Sequence, residues 1–407
     1  MRKDFSVIEL FAGAGGLALG LEAAGLKCIA LNEINHWAAE TLRNNRPHWN
    51  VIEEDVRNIS FAHLKNEVNV VTGGFPCQAF SYAGNRLGFQ DARGTLFYEF
   101  ARIVKETMPA ICVGENVRGL LNHDKGKTLK GMMSVLDEIG YNVMPPQILK
   151  AIYYNTPQKR ERLVLVGVRK DIDLAFKYPE PDPGHIFTLK DALKKGKLYT
   201  TDVPRSEGAK YPKRKKEILD LVPPGGYWRD LPLKIQKEYM LQSYFLSGGK
   251  TGMARRISWN EPSLTLTCSP AQKQTERCHP DETRPFTVRE YARIQTFPDE
   301  WVFAGSMNEQ YRQIGNAVPV NLGKAIGESI IDFLKKAGMK GEGKFNFELT
   351  RSGALKKAPD SYIPAGHWEW FCDNTILCYA AMGLWRKKIN FTRNFFARMA
   401  AVCIVFF

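Results

Sequence analysis

Between residues 5 and 168 the chain alternates short β-prone runs with segments of helical composition. Several of the β-prone runs end in glycine, asparagine or an acidic residue. This alternation predicts an α/β fold built on a parallel sheet with helices on both faces. The predicted strands are 5–10, 27–31, 51–52, 68–71, 110–113 and 163–168, and the predicted helices are 17–24, 35–45, 94–107 and 128–139.

The alternation stops near Lys177, and helical patterns return only at 289–295 and 320–334. The intervening segment is rich in Pro, Gly, Lys and Arg, which predicts an inserted, mainly irregular or β domain. Its basic run at 213–216 is predicted to be a solvated loop. The sequence therefore predicts a first domain at 1–176, an insert at 177–285, a hinge and return at 286–335, and a tail of unassigned role at 336–407.

Lysine and arginine number 57 against 43 acidic residues, a formal net charge of +14. Such an excess favours a polyanionic partner such as nucleic acid, although solvated lysines on an ordinary basic protein give the same number. No run reaches the roughly 18 apolar residues that a membrane span needs, and we expect no secretory signal. The eight cysteines form no CxxC pair, which predicts reduced thiols and a cytoplasmic protein. Cys268, Cys278 and His279 lack the spacing of a closed zinc site, and we expect no metal.

The pattern Gly13-x-Gly15-x-x-Ala18 follows the first strand and opens the first helix. Glycines here permit a tight turn and close approach of a ligand to the backbone. Glu33 lies twenty residues on, at the end of the second strand, where an acidic side chain can accept hydrogen bonds from ribose hydroxyls. The pattern fits any cofactor that contains adenosine, and by itself it would suggest a dehydrogenase first.

Two further strands end in residues with reactive side chains. Cys77 follows Pro76 after the fourth strand, and Glu115 ends the next. A thiolate can add to carbon 6 of cytosine only if ring nitrogen 3 is protonated or strongly hydrogen-bonded, which a carboxyl with a raised pKa achieves. Carbon 5 then becomes nucleophilic enough to accept a methyl group. A lone cysteine beside proline is otherwise more often a packed small residue.

The ordered motifs resemble those of the DNA cytosine-5 methyltransferases, above all the bacterial enzymes of restriction–modification systems. The resemblance covers about residues 5 to 335. It is carried by 11–16, 32–33, Asp55, 74–78, 93–97, 115–117, 158–162, 289–298 and 315–318.

The resemblance implies a Rossmann-like S-adenosylmethionine-dependent methyltransferase fold, with a smaller loop- and β-rich target-recognition domain as the insert. It implies Cys77 as the nucleophile, Glu115 as the group acting on nitrogen 3, and contacts from Arg160 and Arg162 to the flipped cytosine and the DNA. The residues that it implies for S-adenosylmethionine are Phe11, Gly13, Gly15, Glu33, Asp55, Pro76, Leu96 and Asn316.

DNA contacts are expected from the loop 78–91, which could close over an extruded base, and from the insert. The expected residues are Gln78, Ser81, Arg160, Arg162, Arg255, Arg256, Thr265 and Leu266, and Gln272, Gln274 and Arg277 also have side chains that suit base edges. The expected partners are double-stranded DNA and a companion restriction endonuclease, and the protein is expected to be a monomer. The open alternatives are a transfer-RNA cytosine-5 methyltransferase, a nucleic-acid-binding module with a dead site, and a nicotinamide dehydrogenase.

Overall fold

The computed structural model describes residues 5–76, 95–248 and 250–341, together with the backbone of two short strands at 347–349 and 355–357. All of these residues belong to one compact unit that spans 1–357. No helix in this part of the chain is both long enough and apolar enough to cross a membrane. The predicted loop at 78–91 and most of the predicted tail lie outside the described residues.

The strands are β1 (Phe5–Leu10), β2 (Leu26–Asn32), β3 (Val51–Ile52), β4 (Val70–Gly73), β5 (Ile111–Val117), β6 (Tyr141–Val143), β7 (Gln147–Lys150), β8 (Gln158–Lys159), β9 (Glu161–Arg169), β10 (Ser263–Leu264), β11 (Phe347–Leu349) and β12 (Leu355–Lys357). The helices are α1 (Gly16–Ala24), α2 (His36–Asn45), α3 (Leu96–Thr107), α4 (Lys127–Glu138), α5 (Leu189–Leu193), α6 (Lys213–Asp220), α7 (Leu233–Met240), α8 (Val288–Ile294), α9 (Met307–Asn316) and α10 (Val320–Lys336). The predicted elements of the first domain are all present, with ends that differ by a few residues.

The main sheet has the strand order β3-β2-β1-β4-β5-β9-β6, and β7 also pairs with β9. Pairing is parallel from β3 to β5, but β9 runs antiparallel to β5, β6 and β7. The prediction of a parallel sheet was therefore wrong for the part of the sheet formed by β6, β7 and β9. Because β9 is reversed, its first residues lie at the edge where β5 ends, and Arg162 pairs in register with Val117.

Helix α10 returns to pack on α1, and small residues allow the two helices to approach closely. A Cβ atom on Gly20 would lie 2.5 Å from the backbone nitrogen of Lys324, and one on Gly16 would clash with the carbonyl oxygen of Val318. Glycine at these positions therefore serves helix packing. This contact joins the last part of the described chain to the first.

The insert is rich in loops, as predicted, but the predicted β character was wrong. Among its described residues, β10 is a two-residue strand that pairs with β8, and α5, α6 and α7 are helical. The basic run at 213–216 begins α6 and is not a loop. A separate cluster of buried side chains supports the insert, including Leu219, Trp228, Met240 and Cys278. The predicted domain boundaries stay a prediction.

Candidate active site

A cavity of about 550 Å³ opens at the edge of the sheet where the parallel strands end. It is lined by residues at the end of β1 and just after it, by residues that follow β2 and β4, by the end of β5, by residues around the start of β9, by the segment after β10 and by the end of α9. Ligands of α/β sheets bind at this edge, and a volume of this size suits a cofactor-sized molecule. The predicted residues that line it are Phe11, Gly13, Glu33, Pro76, Glu115, Arg160, Arg162, Thr265, Leu266 and Asn316.

The Glu33 carboxylate fixes the turn between β1 and α1. Its Oε2 accepts a hydrogen bond from the backbone N–H of Gly13 at 2.7 Å, and its Oε1 accepts one from Asn35 at 2.7 Å. Burial raises the pKa of Glu33, and these backbone donors oppose the rise. Each carboxylate oxygen keeps a lone pair that can accept from a ribose hydroxyl.

The glycine-rich turn has an unusual backbone. Phe11 and Gly13 have φ angles of 58° and 56°, and Gly15, at 82°, is the N-cap of α1. A Cβ on Gly13 would meet no atom within 4 Å, whereas one on Gly15 would lie 2.6 Å from Leu42. Gly13 thus leaves open space beside the cavity, while Gly15 serves the turn and its packing.

Three of the predicted cofactor residues do not line the cavity: Gly15, Asp55 and Leu96. The Asp55 carboxylate caps the turn Val56–Asn58, accepting from the backbone N–H of Arg57 at 2.9 Å and from its guanidinium at 3.2 Å. Leu96 is the first residue of α3 and packs against the hydrophobic cluster on that side of the sheet. A direct cofactor contact from these residues stays a prediction.

The chain after β4 is anchored as far as Pro76. The buried ring of Phe75 packs edge-on against Phe97 at 5.1 Å between centroids, and its carbonyl oxygen accepts a hydrogen bond from Asn116 Nδ2 at 2.7 Å. Pro76, the residue before Cys77, lines the same cavity as Glu115. Cys77, Gln78 and Ser81 lie outside the described residues.

Glu115 and Arg162 form an ion pair in the cavity wall, with exposed side-chain fractions of 12% and 9%. Burial raises the pKa of Glu115, and the adjacent guanidinium opposes this rise without cancelling it. The carboxyl is therefore set to hold a proton more readily than an ordinary glutamate. Arg162 also donates to the carbonyl of Glu161 at 3.0 Å, which holds its side chain against β9.

Arg160 is 2% exposed and joins three chain segments around the cavity. Its guanidinium donates to the carbonyl oxygen of Leu266 at 3.0 Å and to that of Gly315 at 2.8 Å, while its Nε has no partner among the described residues. Its other N–H groups are thus directed to the protein backbone. This geometry indicates that Arg160 holds the cavity wall in place.

The segment after β10 covers one side of the cavity. The Thr265 hydroxyl donates to the carbonyl of Lys159 at 2.6 Å, and Leu266 is buried. Cys268 Sγ donates to Asn316 Oδ1 at 2.9 Å, joining this segment to the end of α9. Cys268 is not among the predicted site residues, because nothing in its local sequence indicates this neighbour.

Two of the arginines predicted to contact DNA have other partners. All five N–H groups of Arg256 donate within the insert, to the carbonyls of Leu219, Val222, His279 and Pro280 and to the Thr283 hydroxyl. Arg255 pairs with both carboxylate oxygens of Glu261 at 2.7 and 2.6 Å and donates to the Gly225 carbonyl. These contacts direct both guanidinium groups into the insert, and base contact by Arg255 and Arg256 stays a prediction.

Of the other polar side chains in the insert, some have partners within the protein and some are exposed. Arg277 donates to the carbonyl of Thr265 at 2.8 Å and is buried. Lys215, in the basic run, pairs with the buried Glu276. Gln272 and Gln274 are exposed and stay candidates for base contact.

Comparison with known proteins gives a consistent result. A model of the C-5 cytosine-specific DNA methylase family matches residues 5–332. The type II methyltransferase M.Eco47II of Escherichia coli is 65% identical over 333 residues, 82% of this chain and 80% of that protein. M.Sau96I of Staphylococcus aureus is 55% identical over 338 residues, 82% of this chain and 77% of that protein.

Solved structures share the fold at lower sequence identity. A candidate DNA modification methyltransferase encoded within an E. coli prophage aligns with a TM-score of 0.62 at 24% identity, covering 82% of this chain and all of that one. The S. pombe Dnmt2 methyltransferase aligns at 0.51 and 18% identity, covering 82% of this chain and 99% of that one. The ordered motifs, the cavity and the family match agree, and the chain belongs to the C-5 cytosine-specific DNA methylase family.

Proposed function

We propose that this protein transfers a methyl group from S-adenosylmethionine to carbon 5 of a cytosine within a short specific sequence of duplex DNA. The observation that carries the proposal is the buried Glu115–Arg162 pair, which lines one cavity together with Glu33 and with the residue that precedes Cys77. The cavity thus has a cofactor end and a base end. The methyl donor and the pyrimidine would meet between them.

The cofactor end fits S-adenosylmethionine. Glu33 can accept from the ribose hydroxyls, Gly13 leaves space for the ligand, and Phe11, Pro76 and Asn316 line the adjoining wall. When bound, the cofactor supplies an electrophilic methyl group on a sulfonium.

At the base end, Glu115 would donate a proton or a strong hydrogen bond to nitrogen 3 while the Cys77 thiolate forms a bond to carbon 6. Carbon 5 then has the electron density to accept the methyl group. Loss of the carbon 5 proton to a base, cleavage of the sulfur–carbon bond and return of the nitrogen 3 proton to Glu115 would release 5-methylcytosine and regenerate the thiolate. The raised pKa of Glu115 supports its role as the donor.

This chemistry requires the cytosine to leave the duplex, because a stacked base hides its carbon 6 face. The insert would select the sequence through exposed side chains such as Gln272 and Gln274. The sequence relatives are named type II methyltransferases, which supports a restriction–modification context with a companion endonuclease. The RNA alternative is less well supported, because the matched family methylates DNA.

The test is methyl transfer to duplex DNA of random sequence, followed by sequencing that detects 5-methylcytosine. We expect methylation within one short repeated motif. Cys77→Ala should abolish transfer while S-adenosylmethionine binding remains, because only the nucleophile is lost. Cys112→Ala, which changes a buried cysteine on β5 outside the cavity, is the matched control and should stay active. Transfer by Cys77→Ala at the wild-type rate would refute the covalent mechanism.

A further inference from the structure

A third carboxyl, Glu9, lies in the same cavity, and neither the sequence motifs nor the mechanism above assigns it a role. Glu9 is on β1, is 2% exposed and lines the cavity. Its neighbours Ile8 and Leu10 point to the opposite side of the sheet, into a hydrophobic cluster. A glutamate at a strand position that would otherwise suit an apolar residue requires an explanation.

One oxygen of the Glu9 carboxyl lacks a hydrogen-bond partner in the part of the chain that the structure describes. Its Oε2 has no hydrogen-bond partner among the described residues, and neither has the Oγ1 of Thr72, which pairs in register with Glu9 on β4. Burial of a polar group without a partner is costly, and proteins usually avoid it unless a ligand or water completes the site. The Glu276 carboxylate of the insert, by contrast, accepts from Ala254, Tyr239 and Lys215.

The position of Glu9 between two other carboxyls indicates which part of a ligand it would face. The strand order β2-β1-β4-β5 places Glu9 between Glu33, which follows β2, and Glu115, on β5. A methyl donor with its ribose at Glu33 and its methyl group directed to a base at Glu115 must place its sulfur between them. We propose that Glu9 is the countercharge that distinguishes the cationic sulfonium of the methyl donor from the neutral thioether of the product. This inference rests on the proposed function.

The charges around Glu9 support this role. Burial raises the pKa of Glu9 well above its ordinary value, and the carboxyls of Glu115 and Glu33 add to the rise. The Cys28 thiol on β2 is also buried, and burial raises its pKa. The positively charged groups that line the cavity are Arg160 and Arg162. Burial and the two neighbouring carboxyls favour the protonated form of the Glu9 carboxyl in the ligand-free protein. A sulfonium nearby would favour the carboxylate, so binding of the methyl donor would release that proton.

The test is titration calorimetry of the whole protein with S-adenosylmethionine and with S-adenosylhomocysteine, at one pH near neutral in phosphate and in Tris. The two ligands differ only in the methyl group and its charge, and the dependence on buffer gives the number of protons exchanged. We expect S-adenosylmethionine to release up to about one proton more than S-adenosylhomocysteine. Equal proton exchange for both ligands would overturn the inference without any variant.

Glu9→Gln removes the ionisable group and keeps the shape. We expect this variant to lose the difference in proton release and to bind S-adenosylmethionine about tenfold more weakly, with unchanged affinity for S-adenosylhomocysteine. Glu22→Gln, on α1 and paired with Arg46, is the matched control outside the cavity. An equal loss of affinity for both ligands in Glu9→Gln would contradict the countercharge role. Failure of the wild type to bind either ligand would instead refute the proposed cofactor.

Discussion

Buried charged groups in the cavity differ from those in the insert in how completely the protein satisfies them. In the insert, Arg256 uses all five of its donors and Glu276 accepts from three groups. In the cavity, Glu9 Oε2 has no partner among the described residues, and Glu115 forms an ion pair with Arg162. Both sets are buried, so burial alone does not distinguish them.

The difference has a physical cause. A buried charge whose partners are all within the protein stabilises one arrangement of the chain and has nothing left for a ligand. A buried charged group with unpaired hydrogen-bonding atoms destabilises the ligand-free protein, and a ligand that pairs with these atoms removes that cost. The comparison therefore predicts that substitutions in the cavity impair activity more than stability, and that substitutions of saturated groups in the insert do the opposite.

The largest effect is expected for Glu115→Gln. The amide cannot deliver a proton to nitrogen 3, so the single-turnover rate of methyl transfer should fall on the order of a thousandfold, within the usual range for general acid catalysis. S-adenosylmethionine affinity should change little. Rapid-quench measurement with labelled cofactor and duplex DNA gives the rate.

The matched control is Glu161→Gln on β9, where the carboxylate pairs with exposed Arg118 and does not line the cavity. It should stay within about twofold of the wild type, because a surface ion pair contributes about 1 kcal/mol or less. If Glu115→Gln lost no more activity than this control, Glu115 would not be the proton donor.

A smaller effect, of the opposite kind, is expected for Arg256→Met. The substitution leaves four buried carbonyl oxygens and the Thr283 hydroxyl without their donor, and should lower the free energy of unfolding by about 3 kcal/mol. Urea denaturation measures it. Lys234→Met, an exposed cation on α7, serves as the control and should change stability by no more than about 0.5 kcal/mol. Unchanged stability combined with weaker DNA binding would mean that Arg256 reads DNA after all.

The comparison also explains how much of the site the sequence could predict. Glu33 follows β2 and Glu115 lies at the end of β5, and the carboxyl ends of parallel strands share one edge of a sheet, so their meeting could be predicted. Arg162 lies beside Glu115 because β9 is antiparallel to β5. The family resemblance placed Arg162 at the site, whereas the alternation of strands and helices predicted the wrong direction for β9.

In the insert, residue type was the only guide. An arginine that could read a guanine and an arginine that saturates backbone carbonyls have the same side chain, and only the surrounding loop geometry distinguishes them. Arg256 shows the limit of that approach. Cys268 is a site residue that residue type did not indicate, because its contact with Asn316 joins residues that are far apart in sequence.

The smallest effect concerns the cost of keeping Glu9 in the fold. The pKa of Glu9 in the folded protein lies well above its ordinary value of 4.5. The contribution of Glu9 to the free energy of unfolding is therefore complete below pH 4.5 and is lost as the pH rises from 4.5 towards the pKa of the folded protein. Glu9→Gln cannot ionise and should escape this loss. The unfolding free energy of the variant should therefore rise relative to that of the wild type as the pH increases from about 5 to about 7, with a slope of at most about 1.4 kcal/mol per pH unit. Denaturation at each pH measures the difference, and Glu22→Gln should show no such trend. A constant difference across this window would mean that Glu9 is ionised in the empty cavity, and that the protein tolerates an unpaired buried carboxylate at the centre of its active site.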